Sequence, residues 1–283
     1  MHGILLMASA HLRYLNPESK LYSEAEAWHL ALTLGGLRDA LSGTLSDTNA
    51  DTIISCSLIL LHHAWSVPYS PKKSSDLCTS VDIGSDNMLA FSAGLKSVLQ
   101  SVWHVREGSI FREIISSKTV NTFKVWAATE SLPCGLETIL QRQTGLAWPE
   151  SSDADEACIG LGCGSMDAVD RLIPVMRAAD CMSQGMNITH LLSEISRYLL
   201  MWPGKSTDAF QNDVQQNDKE ALLILLCFYL CTQSLLSKDF WWVRDRSKYM
   251  CHAISELLEK DTNRCRERAA LISNYFRFQS RPT

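Results

Sequence analysis

Histidine is the side chain with the most chemistry to offer here, and its eight copies are spaced so that few of them can act together. His11, His29, His62, His63 and His104 fall on or beside helical patterns, where a core or capped role needs no partner and a catalytic one needs several convergent groups. His62 and His63 are adjacent, so on a helix they point to different faces and do not easily ligate one metal. The ten cysteines, at 56, 78, 134, 158, 163, 181, 227, 231, 251 and 265, include no CxxC. Neither Cys158/Cys163 nor Cys227/Cys231 has a second pair at zinc-site spacing, so they read as core thiols of a reducing compartment, and no metal or cofactor is assigned. Gly160, Gly162 and Gly164 imitate part of a phosphate loop, but no strand precedes them and no GKS or GKT follows. GxSxG and HExxH are missing, and Ser165 in GCGSMD lacks the final glycine of a nucleophile elbow. No catalytic residue is assigned.

What the chain offers instead is aromatic wall. Trp241 and Trp242 can bury a flat apolar molecule, and an indole can also donate one hydrogen bond; a packed corner between helices accounts for them equally well. His11, placed on a face with Leu5 and Ala8, is expected to look into the core and could donate to a ligand hydroxyl. Leu225, Phe228 and Met250 complete the candidate ligand-binding set, with the reservation that methionine is also a gap-filler in helical cores, as it would be at Met176, Met182 and Met186.

These residues are positioned by the stretch Ala221–Leu258, which reads as a helical pair: an apolar run, ALLILLCFYLCTQSLL, a polar break at Ser237-Lys238-Asp239, and an amphipathic segment opened by Phe240-Trp241-Trp242. The first helix is apolar nearly all round and must be covered on several sides. At roughly 15 residues it falls short of the ~20 needed to cross a bilayer, and it carries Cys227, Thr232, Gln233 and Ser234, which makes it a core helix rather than a membrane span. The second, with Tyr249, Met250, Ala253, Ile254 and Leu257 between charges, is half exposed.

Elsewhere the helical period predicts Gly3–Leu15, stopped by Asn16-Pro17, a second helix to about Leu45 with a weak or closely packed point at Gly35-Gly36, and a third from about Asn49 to just before Val67-Pro68. Helices are also expected over Asp86–Trp103, Ile110–Ile115, Gly135–Gln143, Met166–Met182 with a kink at Pro174, Ile188–Met201, and Asp261–Phe278. Trp202-Pro203-Gly204 reads as a turn, and Lys118–Thr129 is ambiguous between strand and helix. Loops are expected near 66–85 and 144–165. No alternating strand pattern recurs, so the fold class is all-α, a multi-helix bundle with a lipophilic pocket, as a single domain over 1–283. The net charge of -5 gives no electrostatic footprint for nucleic acid. The opening MHGILLMASAHLRYL has neither the basic start nor the cleavage site of a secretory signal.

Four stretches, in order, carry a resemblance: MHGILLMASAHLRYLNPES, SAGLKSVLQSVW, MWPG, and EALLILLCFYLCTQSLLSKDFWWVRDR. Together they span most of the chain, and they are similar to the C-terminal effector-binding region of fungal zinc-cluster transcription factors related to the sterol uptake control protein. The resemblance implies an all-helical regulatory domain binding an apolar, sterol-like molecule whose occupancy controls nuclear entry and transcription of a metabolic or biosynthetic gene set. It also implies a possible homodimer. Two departures stand out. The family's six-cysteine DNA-reading cluster does not precede the first helix, and its usual glycine after the Trp-Trp corner is Asp245. An incomplete gene model, a standalone accessory regulator and a recruited domain would each account for the missing cluster; Met1 lying almost inside helix one favours the first. The alternative function is a biosynthetic cyclase or isomerase that uses the same cavity, with His11 or Glu26 as acid or base.

Overall fold

The computed structural model describes residues 1–43, 46–67, 83, 87–101, 109–112, 123, 126–127, 163–260 and 263–279. Among these residues there are ten α-helices and no strand: α1 (His2–Leu15), α2 (Lys20–Ser42), α3 (Asp47–Ser66), α4 (Asn87–Ser101), α5 (Cys163–Ser183), α6 (Leu192–Lys205), α7 (Asp208–Gln215), α8 (Lys219–Leu236), α9 (Trp241–Glu259) and α10 (Asn263–Gln279). The all-α reading is correct. The helix expected over 135–143 and most of both expected loops lie outside the described residues. In the segment whose pattern is ambiguous in sequence, Phe123, Trp126 and Ala127 are helical.

α8 is the central strut. It touches α5, α6, α7, α9 and α10, which is what an apolar surface on all sides demands. Its start is fixed by Asp218, whose carboxylate accepts the Glu220 and Ala221 amides, both at 3.0 Å. That cap lengthens the helix to 18 residues, long and apolar enough to cross a membrane, so the length argument from sequence fails. Burial takes its place: 72% of the helix is covered inside the fold. Around this strut, α1, α2 and α3 pack on one another, α3 carries α4 and α9, and α4 leans on α6. α3 begins with a capping box, the Ser46 amide donating to Asn49 Oδ1 at 2.9 Å.

Several boundaries differ from the sequence reading. Trp202-Pro203-Gly204 is no turn but the last stretch of α6. Proline removes one backbone donor there, and the Pro203 carbonyl is taken by Gln211 Nε2 at 3.0 Å. Gly204 is needed for contact: a Cβ at that position would stand 2.7 Å from the Ser92 carbonyl oxygen of α4. An alanine in a helix ordinarily gains ~1 kcal/mol over glycine, but here the clash is with backbone. Gly204→Ala is therefore expected to lower stability by about 1–3 kcal/mol in urea unfolding; a variant as stable as the parent would show that α4 and α6 can part freely. α7, absent from the sequence reading, is set by Thr207, whose hydroxyl accepts the Phe210 amide at 3.2 Å, and by the buried pair Phe210 and Val214. A Cβ at Gly35 or Gly36 would meet nothing within 4 Å, so these glycines mark no close contact. α5 begins at Cys163, inside the expected loop, and runs past Pro174.

Candidate functional site

Trp241 and Trp242 open α9, and being consecutive they project about 100° apart, so each serves a different neighbour. Trp241 turns to α1, its ring 4.7 Å from His11 and 5.3 Å from Tyr14, centroid to centroid. Trp242 turns to α3, 5.2 Å from His62 and 5.8 Å from Trp65, with Phe240 also at 5.8 Å. From Trp65 the rings continue inward to Phe228 at 5.8 Å and then to Trp202, stacked on Phe228 at 4.5 Å. The result is a ladder of aromatic faces from the half-buried N-terminus of α9 to the middle of α8. Offset and edge-to-face contacts of this kind add about 0.5–1.5 kcal/mol each beyond the area they bury. Arg244 closes the outer end, donating to the Tyr14 hydroxyl at 2.9 Å and the Ser237 carbonyl at 3.0 Å.

The six sequence-derived residues divide along this ladder. His11 and Trp241 touch. Trp242 reaches Phe228 only through Trp65. Leu225, Phe228 and Met250 are wholly buried in the main core, so any ligand against them would have to enter between packed rings. The expected orientation of α1 is corrected: Leu5 and Ala8 face solvent, and the buried positions are Gly3, Leu6, Ser9 and Ala10. Gly3, Ser9 and Ala10 face inward beside the wholly buried Leu6, and α1 approaches α3 closely at its start, where a Gly3 Cβ would stand only 3.1 Å from Ile59 Cδ1. His11 is consequently half-buried at the flank of α1, against Trp241, and not in the core.

Polar atoms along the ladder are incompletely matched. His11 Nδ1, Trp65 Nε1 and Trp202 Nε1 are buried without a hydrogen-bond partner among the described residues, in a setting where most buried polar groups are paired. His62, beside Trp242, donates through Nδ1 to the Leu58 carbonyl at 2.9 Å. Burial holds its pKa below the usual 6.5, and the carbonyl offsets only part of that effect. A depressed histidine pKa means that stability is complete above pH 6.5 and is lost as pH falls through the folded value. Unfolding midpoints should therefore drop below that pH, and His62→Phe should flatten the drop; an unchanged slope would remove His62 as its source.

Two polar clusters are not legible in any single stretch of sequence. Glu26 of α2 forms an ion pair with Arg13 of α1 and accepts His63 Nε2–H of α3 at 2.7 Å, with Glu26 and His63 both buried. One carboxylate thus ties three helices together. Arg246 of α9 is buried and donates through Nη1 to the Ala64 carbonyl at 2.8 Å and to Val67 at 3.1 Å, capping the carbonyl end of α3 with a cation, as the helix dipole favours. The available signal was periodicity: Glu26 lies among apolar positions of α2, and Arg246 lies one turn before Met250 on the inward stripe of α9. No group of three or more metal-ligating side chains converges among the described residues. Compared with known proteins, the chain matches no family model, no curated protein and no solved structure.

Proposed function

We propose that the chain is the effector-binding part of a ligand-responsive transcriptional regulator, and that the aromatic ladder at the start of α9 receives an apolar, sterol-like molecule. The observation that carries the reading is His11 Nδ1, buried beside Trp241 with its hydrogen-bonding capacity unused. A flat apolar ligand with one hydroxyl would lay its body on indole faces and give its oxygen to that nitrogen. The unpaired indole N–H groups of Trp65 and Trp202 extend the same chemistry inward. In this reading the ligand separates or clamps α1, α3 and α9, and its different affinity for the two arrangements shifts their populations. That shift would control transfer from cytoplasm to nucleus and activation there, with nucleic acid contacted by another part of the regulator.

The enzyme reading is favoured by one observation, the 2.7 Å contact between Glu26 and His63. Arg13 engages the same carboxylate, however, so Glu26 is held by two partners and His11 is the acid or base that this reading would have at the ladder. The test is a thermal shift of the purified chain against sterols and related apolar metabolites, with mass spectrometry of the recovered ligand. Saturable stabilisation with intact ligand supports the sensor, since binding to the folded state alone raises apparent stability. Conversion of the ligand to a new product would replace it with the enzyme.

A further inference from the structure

His2 and His29 come from different helices and meet on the outside of the fold. Their Nδ1 atoms stand 3.2 Å apart and their ring centroids 5.3 Å apart, with 30° between the ring planes. His2 is the first residue of α1, and His29 lies near the middle of α2. Two features bring them together. Gly3 lets the start of α1 lie close to its neighbours, since a Cβ there would stand 3.1 Å from Ile59 Cδ1 and 3.8 Å from Thr33 Cγ2. Thr33 in turn donates its hydroxyl to the His29 carbonyl at 2.7 Å, which holds that turn of α2. His2 is exposed and His29 half-buried, so the pair is open to water and to solutes.

One ring can donate its N–H to the other across this gap, at the long end of the hydrogen-bond range. Between groups open to water such a bond contributes little. The same spacing suits a shared ion. Two imidazole nitrogens held ~2.0–2.1 Å from a tetrahedral cation are about 3.3 Å from each other, so the two rings need hardly move to grip one. We propose that His2 and His29 form a two-imidazole site for a divalent cation of the zinc, nickel or copper class, which clamps α1 onto α2. Imidazole suits these ions, whereas magnesium and calcium take oxygen ligands. Water completes the coordination, because Glu26, one turn before His29, is engaged by Arg13 and His63. The dipole of α1 opposes a cation at its start, but that effect is weak and screened at an exposed position.

The test is calorimetric titration of the tag-free full chain with nickel(II) chloride, followed by thermal unfolding with and without the metal. One nickel ion per chain is expected at this site, with an unfolding midpoint that rises on loading and returns when a chelator removes the ion. His29→Ala should weaken uptake at least about tenfold and abolish the rise. This variant is decisive, because chelation by the first residues of the chain alone would survive it. Should circular dichroism show it unfolded, His29→Gln makes the same test. His252→Ala, which removes an exposed histidine 3.8 Å from Glu256 on α9, should leave uptake and midpoint unchanged. Absence of saturable uptake overturns the proposal, as does uptake that is indifferent to loss of His29 or that disappears with His252. Uptake at His29 without a rise in the midpoint overturns the clamp.

Discussion

Replacing Phe228 with alanine should cost about 3–5 kcal/mol of folding stability, because its ring is wholly buried and joins Trp65 to Trp202 across α3, α6 and α8. Trp242→Ala, at the half-buried end of the same ladder, should cost only about 1–2 kcal/mol for the smaller area it returns to water. Ligand response should divide the other way. If an apolar ligand lies on the α9 corner, Trp242→Ala weakens its binding at least tenfold while Phe228→Ala changes the unfolding midpoint first. Urea titration gives the stabilities, and ligand titration of the folded variants gives the affinities. Equal affinity in the parent and in Trp242→Ala would take this ring out of the site, and a small loss for Phe228→Ala would mean that the ladder is loosely packed.

Glu26→Ala is the second large effect, expected near ~3 kcal/mol. Removing the carboxylate leaves the Arg13 cation uncompensated and the buried His63 Nε2–H without its acceptor; water partly reaches Arg13, which keeps the loss at the lower end of that class. The triple change Arg13→Met, Glu26→Leu, His63→Leu should recover most of the loss, since apolar replacement of a complete buried cluster is often neutral. Chemical denaturation of both variants decides the cause. If the triple variant is no more stable than the single one, lost packing and not stranded charge explains the defect. Loosening of α1 and α2 from α3 should also show as faster proteolysis near Asn16-Pro17.

Composition and period make α8 and α9 legible, because a run apolar on every side admits only a covered helix and the charges of α9 mark its wet face. The polar break at Ser237–Asp239 likewise falls where the chain turns. What cannot be read is the choice between two plausible faces. α1 has large apolar residues on one side and small ones on the other, and hydrophobicity alone points the large side inward. Close approach at Gly3 reverses that preference, with Leu6 the one large side chain that α1 buries beside Gly3, Ser9 and Ala10. Pro203 and Gly204 mislead in a related way: residues that usually end helices are here tolerated at the end of α6 because Gln211 takes the Pro203 carbonyl and Ser92 leaves no room for a side chain at position 204. Within the candidate site, the aromatic identity of the corner is visible, but its division between α1 and α3 follows only from the angle between consecutive helical residues. Glu26, Arg13 and His63 come from three helices, and no local pattern announces such a meeting.

The reach of α9 also governs how the chain must assemble. Arg246 meets the Ala64 carbonyl across 182 positions, and Arg244 meets Tyr14 across 230. The Ala64 and Val67 carbonyls at the end of α3 therefore meet Arg246 only once synthesis has passed the start of α9. Joining α9 to α1 and α3 thus requires closure of a very long loop, an entropic cost that grows with its length. Contacts of such sequence separation slow folding, so a polypeptide stopped before Phe240 should linger as a loosely ordered species. Supplying the missing C-terminal segment as a separate peptide should drive that species to the native state.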